Sequence, residues 1–217
     1  MHNVIANGAA IPALGFGTFR MSDAEVAEVL PEALKLGFRH VDTAQVYGNE
    51  AAVGAAIRAS GVPRDEVFLT TKVWVTEFAE ADLLPSVEES LKKLGVDHVD
   101  LLLLHWPHGN DTPREVQIAE LNKTVSKGMT RHIGVSNYNV AGMHEAAELS
   151  CRSIALIGTS PDSFPWMPRY GRFGPAVAGL RGLHGCRPVV VCSSGSSQRS
   201  PKSCTVAELE PRARLPT

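Results

Sequence analysis

A chain of 217 residues with 44% apolar composition can bury one sizeable core and is short for two. Its net charge of −2 argues against a dedicated nucleic-acid binder. The longest apolar run, Leu101–Leu104, is far too short to span a bilayer, and the opening residues lack the charged and apolar regions of a signal peptide, so a cytoplasmic protein is expected.

The chain opens with a hairpin pattern, Asn3-Val4-Ile5 and Ala10-Ile11-Pro12 flanking the turn Ala6-Asn7-Gly8. A short strand is predicted at Leu14–Phe16. Ser22 to Glu25 then has the Ser-x-x-Glu form of a capping box, and Val26, Val29, Leu30, Ala33 and Leu34 continue at helical spacing until Gly37. Phe38–Asp42 reads as a second strand, followed by a helix opening at Asn49 or Glu50 and ending at Gly61. Val67–Lys72 is the third strand, and Glu80 to Leu94 the third helix, its start drawn toward Pro85. The unbroken apolar centre of His98–His105 suits a strand covered on both faces. A helix over Pro113 to Ser126, a strand at Ile133–Ser136 and a helix from Val140 to Leu149 complete the pattern. Five βα units spaced by about 28 residues predict a parallel sheet with right-handed crossovers. A doubly wound sheet and a TIM barrel both satisfy that rhythm.

Polar residues fall at the C-terminal ends of successive strands: Asp42, Lys72, His105 and the pair Ser136-Asn137, with Tyr47 in the loop after the second strand. In a barrel the βα loops converge on that rim, which is where chemistry is built. Each has a plain structural alternative: a loop cap for Asp42, an ion pair for Lys72, rim packing for Tyr47, a core histidine for His105. A dinucleotide-binding Rossmann reading is weaker, because Gly15-Phe16-Gly17 lacks the third glycine of that fingerprint. Cys186, Cys192 and Cys204 do not have a zinc-ligand spacing, and with Cys151 they read as four unpaired thiols, so no metal is expected.

The segments GFGTFR (15–20), GFRHVDTAQVYGNE (37–50), LTTKVW (69–74), SLKKLGVDHVDLLLLHWP (90–107) and RHIGVSNY (131–138) closely resemble the aldo-keto reductases, nearest to the bacterial branch of 2,5-diketogluconate and methylglyoxal reductases. The resemblance covers residues 1–150. It implies a (β/α)8 barrel that reduces aldehydes or ketones, small keto-aldehydes or keto-sugars among them, with hydride from NADPH. Its catalytic tetrad maps onto Asp42, Tyr47, Lys72 and His105, with Tyr47 the proton donor. Lys72 would stabilise the phenolate of Tyr47 and lower its pKa, Asp42 would hold Lys72, and His105 would orient the substrate carbonyl. The resemblance further implies Gly17, Thr18, Asp42, Ser136 and Asn137 at the cofactor, Trp74, His105 and Trp106 at the substrate, and no metal. Full-length members of the family are mostly monomers, with no nucleic-acid or membrane partner.

Residues 151–217 read differently and are expected to be an irregular tail. They hold all four cysteines, eight of the fourteen prolines, nine basic residues and three acids, a net charge of +6 against −8 for residues 1–150. One strand is predicted at Pro188–Cys192 and one apolar stretch at Ala176–Leu183; Ser193–Ser200 reads as a linker. Three further βα units would need roughly 85 residues at the chain's own rhythm, more than the tail contains. Pro201-Lys202-Ser203 lacks the βα unit that surrounds the family's phosphate-gripping segment. An abundance of Arg, Pro, Gly and Ala, all encoded by GC-rich codons, and the absence of Asn suggest a shifted reading frame near residue 150; a divergent natural C-terminus is the competing account. A barrel truncated after about five βα units would have open edges and an unfilled interior, predicting apolar exposure, self-association or a molten state. The alternative to an active reductase is therefore an inactive remnant that binds no cofactor.

Overall fold

The computed structural model describes residues 2–6, 8–150, 154–157 and 187–189. An antiparallel hairpin comes first, β1 (Asn3–Ala6) and β2 (Ala9–Pro12), turning at Gly8 with φ of 89°. There follow β3 (Gly15–Gly17), α1 (Asp23–Lys35), β4 (His40–Asp42), α2 (Glu50–Ala59), β5 (Phe68–Val73) and α3 (Leu83–Leu94). Next come β6 (Val99–Leu104), α4 (Arg114–Ser126), β7 (Thr130–Ser136), α5 (Val140–Leu149), β8 (Ile154–Ile157) and, later, β9 (Arg187–Val189). Strands β3 to β8 lie side by side in chain order with every neighbouring pair parallel, and β9 adds antiparallel to the outer side of β3.

All five expected βα units are present, in the order of a (β/α)8 barrel followed through its first six strands. The sixth, β8, falls in the stretch that the sequence pattern gave to the tail. Its run Ile-Ala-Leu-Ile is only four residues long, and pairing with β7, not local pattern, defines it. The strand expected at Pro188–Cys192 is observed at Arg187–Val189. The stretches Ala176–Leu183 and Ser193–Ser200, the segment Pro201-Lys202-Ser203 and the four cysteines lie outside the described residues.

Local chemistry sets the helix ends. Ser22 caps α1: its Oγ accepts from the Glu25 N–H while the Glu25 carboxylate accepts from the Ser22 N–H at 2.8 Å, the reciprocal capping box. The helix continues through Pro31, which has no N–H to donate; burial of Val26, Leu30, Ala33 and Leu34 around it overrides that loss. Gly95 closes α3 in the left-handed conformation, its N–H returning to the Leu91 carbonyl at 2.8 Å.

The sheet separates two environments. On its outer face Val41, Leu69, Val73, Leu102, Leu104, Ile133 and Val135 join the helices in the main core. On the inner face Leu101 and Leu103 meet Ala6, Ala9 and Ile11 of the hairpin, which covers the sheet's N-terminal end as a floor. Leu101 and Leu103 are fully buried. The hairpin thus covers the inner face of the sheet at these two positions. Near the same end Asp100 accepts from the Leu69 N–H and pairs with Arg64 and Arg131 at 2.9 and 3.0 Å, tying the starts of β5, β6 and β7 together.

Helices α2 and α3 approach through Gly54. A Cβ there would lie 2.0 Å from the Leu94 carbonyl oxygen, a backbone atom that cannot swing aside. Gly54→Ala is therefore expected to destabilise the fold by about 3 kcal/mol or more. Gly61→Ala, where a Cβ meets nothing within 4 Å but φ is +74°, should cost only about 1–2 kcal/mol. Urea midpoints at constant m-value measure both, and equal losses would refute the close-approach argument.

Candidate active site

The register of the sheet stacks the polar rim residues on one face. Gly17 pairs with Asp42 and Asp42 with Thr70, so Lys72 rises two residues beyond Thr70 on the same inner face. Lys72 pairs with Leu103, and His105 follows two residues later; Leu103 pairs with Gly134, and Ser136 follows in the same way. Alternation along each strand thus delivers Asp42, Lys72, His105 and Ser136 to the C-terminal end of the inner face.

Lys72 is the centre of the group. Its Nζ donates to Asp42 Oδ1 at 2.6 Å, to the Thr43 carbonyl at 2.9 Å and to the Tyr47 hydroxyl at 3.3 Å. The ammonium also lies 5.0 Å from the centre of the Tyr47 ring. Burial works against the charge of Lys72, but Asp42 and Tyr47 outweigh it and raise the pKa, so the side chain is held as a cation. Tyr47 ends a short 3₁₀ turn, Gln45–Tyr47, which Gly48 closes at φ of 73°. Burial raises the pKa of its phenol while Lys72 pulls it down, and burial prevails. The expected lowering by Lys72 is therefore present but does not set the net direction.

His105 follows β6 and meets Tyr47 edge to face at 5.7 Å and Trp74 at 5.3 Å, with Trp106 stacked beyond it at 6.4 Å. Burial, and then the charge of Lys72, lowers its pKa to about 3, so the imidazole is neutral at any ordinary pH. Its Nδ1 is buried without a hydrogen-bond partner among the described residues. Trp74 is half-buried and Trp106 is 42% exposed, so the two rings stand at the mouth of the group.

Ser136 ends β7, and Asn137 takes a left-handed φ of 64°, which sends its Nδ2 to the His105 carbonyl at 2.9 Å and to Ser136 Oγ at 3.2 Å. This pair therefore sits beside His105. Gly17 and Thr18 lie at the end of β3, but the Thr18 hydroxyl is fully buried and turned to the Asp42 carbonyl and the Asn49 amide, each at 3.3 Å. All the expected site residues gather at one end of the sheet, Thr18 with its side chain directed inward. Among the described residues no three His, Cys, Asp or Glu groups could hold a metal ion, and no helix is long and apolar enough to cross a membrane.

Three neighbours were not evident from sequence. Asn49, expected only as a helix opener, makes no cap bond; its amide instead donates to the Thr18 and Met21 carbonyls, both at 2.9 Å, and accepts from Thr43 at 3.2 Å. Phe19 stands 5.1 Å from the Tyr47 ring. Gln45 reaches the backbone of Trp74 at 2.7 Å. A polar amide on either side of a candidate tyrosine was the available signal, but its partners are set by the fold.

The arrangement offers a buried cation against a protonated phenol, beside a neutral imidazole with an unused ring nitrogen. It can deliver a proton and a hydrogen bond to an oxygen that is gaining negative charge.

Comparison with known proteins gives a consistent result. The profile of the aldo/keto reductase family matches residues 13–157. Methylglyoxal reductase DkgB of Escherichia coli O157:H7 is 48% identical over 151 residues, 67% of this chain and 55% of that protein. Glycerol 2-dehydrogenase (NADP(+)) of Saccharomyces cerevisiae is 42% identical over 132 residues, 61% of this chain and 42% of that one. The crystal structure of a candidate 2,5-diketo-D-gluconic acid reductase B superposes with a TM-score of 0.72 at 55% identity, covering 84% of this chain and 63% of that one. The chain spans about half the length of the curated relatives it matches.

The neutral state of His105 has a consequence for stability. The unfolded imidazole takes up a proton near its ordinary 6.5, while the native one does so only near 3. Between those values the unfolded chain binds more protons, so native stability falls as pH drops below about 6.5, by up to about 1.4 kcal/mol per unit. Urea midpoints between pH 7 and 5 should fall less steeply in His105→Gln than in the parent, and parallel slopes would contradict the burial of a neutral His105.

Proposed function

Because the chain belongs to the aldo/keto reductase family, we propose that it is an NADPH-dependent reductase of small aldehydes and ketones, with Tyr47 as proton donor. The observation that carries this reading is the ammonium of Lys72, held between the Asp42 carboxylate at 2.6 Å and the Tyr47 hydroxyl at 3.3 Å inside the sheet. Small keto-aldehydes or keto-sugars are the substrate class, consistent with the names of the relatives. The setting is a cytoplasmic one.

As a carbonyl carbon is reduced, its oxygen gains negative charge and must be protonated. Tyr47 keeps its proton at neutral pH, the form a donor requires. The fixed charge of Lys72 stabilises the phenolate left behind, and Asp42 and the Thr43 carbonyl keep Lys72 in place. His105, neutral down to about pH 3, cannot act as a cationic acid; it donates a hydrogen bond that orients the carbonyl. Trp74 and Trp106 form the apolar wall that favours small substrates and sheds water.

The residues fit a nicotinamide cofactor. Ser136 and Asn137 bring a hydroxyl and an amide to the rim beside His105, the donor and acceptor set that a carboxamide needs. With the Thr18 side chain turned inward, the backbone of Gly17-Thr18 and the neighbouring Asp42 are the residues of this edge that would line the cofactor. NADPH held there would supply the hydride; the choice of NADPH is supported by the yeast relative named for NADP(+).

Titration of the purified chain with NADPH, followed by cofactor fluorescence, should saturate; no change at high micromolar NADPH would reject the proposal in favour of an inert remnant. Tyr47→Phe is expected to lower turnover by about 10²–10⁴-fold while leaving cofactor affinity nearly unchanged. Unaltered turnover would remove Tyr47 from the role of donor.

A further inference from the structure

We propose that Gln45 is a positioning residue, one whose side-chain amide locks the Tyr47 turn against β5 and α3 and thereby sets the contact between Tyr47 and Lys72. The inference rests on the reading of Tyr47 and Lys72 given above.

The amide uses both of its ends. Its Oε1 accepts from the Trp74 backbone N–H at 2.7 Å. Its Nε2 donates to the Ser86 carbonyl at 3.1 Å, to Ser86 Oγ at 3.2 Å and to Ser90 Oγ at 3.1 Å. Ser86 Oγ in turn donates to the Leu83 carbonyl at 2.9 Å, which leaves its lone pairs for Gln45. One side chain thus joins the rim turn, the residue after β5 and the inner face of α3.

The contacts close a small ring. Tyr47 lies two residues after Gln45, and Lys72 two residues before Trp74. The path from the Tyr47 hydroxyl to Lys72, along β5 to the Trp74 N–H, across to Gln45 and back to Tyr47 contains no unanchored link. The 3.3 Å separation of Lys72 Nζ from the Tyr47 hydroxyl is one edge of that ring. Without Gln45 the turn keeps its own hydrogen bonds, Tyr47 N–H to Ala44 and Gly48 N–H to Gln45, and the Thr43 carbonyl keeps Lys72. None of these fixes the outward tilt of the turn, and the Trp74 N–H loses its acceptor.

Only an amide suits the place, since it must accept from one backbone and donate to another. Methionine keeps the length and loses every hydrogen bond; glutamate keeps the acceptor for Trp74 but turns an oxygen toward the Ser86 carbonyl.

The test places a fluorotyrosine at position 47 of the full chain and follows its ¹⁹F resonance against pH, a readout that needs no turnover. Lys72→Met calibrates it, since loss of the cation should raise the pH at which the phenol ionises. Gln45→Met is expected to raise the midpoint in the same direction by about one unit, tenfold in the ionisation constant, with far-UV circular dichroism unchanged. A midpoint that moves in Lys72→Met but not in Gln45→Met overturns the role of Gln45 and leaves the catalytic reading standing. A midpoint that moves in neither overturns both. Should Gln45→Met fail to fold, the equally uncharged Gln45→Leu is read by the same criterion: a raised midpoint supports the lock, and an unmoved one refutes it.

Discussion

The ammonium of Lys72, a residue only 5% exposed inside a parallel sheet, is the constraint around which this molecule is organised. Moving such a charge out of water costs several kcal/mol unless a partner and further hydrogen bonds meet it. Asp42, the Thr43 carbonyl and the Tyr47 hydroxyl supply them, and each requires β4 and the following turn to keep one register against β5. The same positive charge reaches the two other polar rings. Burial sets the direction at both groups, and the cation adds to it at His105, helping to keep the ring neutral, while it opposes it at the Tyr47 phenol.

The sheet lets that costly site coexist with a stable fold by assigning the two to different places. Outward residues of β4 to β7 meet five helices in a continuous apolar core. Inward residues are apolar near the floor, where Leu101 and Leu103 meet the hairpin, and polar at the opposite end. Asp100 and its two arginines hold the strand starts. Rigidity is therefore concentrated at one end of the strands and chemistry at the other, the division expected where loops after parallel strands converge.

Sequence alone went far for this chain because the period of its pattern is unambiguous. The capping box at Ser22, the glycine stops and the apolar run of β6 marked the βα units, and the strand-end positions of Asp42, Lys72, His105 and Ser136 followed from alternation. What escaped were contacts between residues far apart in the chain. Gln45 and its partners Trp74, Ser86 and Ser90 are separated by 29 to 45 residues, and nothing in the local pattern of an amide says which backbone it will meet. Gly54 looked like any helical glycine until Leu94 was seen against it. The direction of the Tyr47 shift depended on a balance between burial and charge that residue identities do not contain. β8 is too short for periodicity to resolve and exists through its ladder with β7.

The hairpin floor also bears on the order of assembly. Each strand from β4 to β8 pairs with the strand made just before it, so the sheet can extend as the chain emerges from the ribosome. The hairpin is made before the sheet, yet the leucines that cover it belong to β6. At roughly 5–20 residues per second, β1 and β2 spend several seconds as an isolated ribbon, a form with little stability of its own. Ile11 stays wet until three βα units and the strand of a fourth have been made; a ribbon translated ahead of the sheet is among the latest parts to become dry.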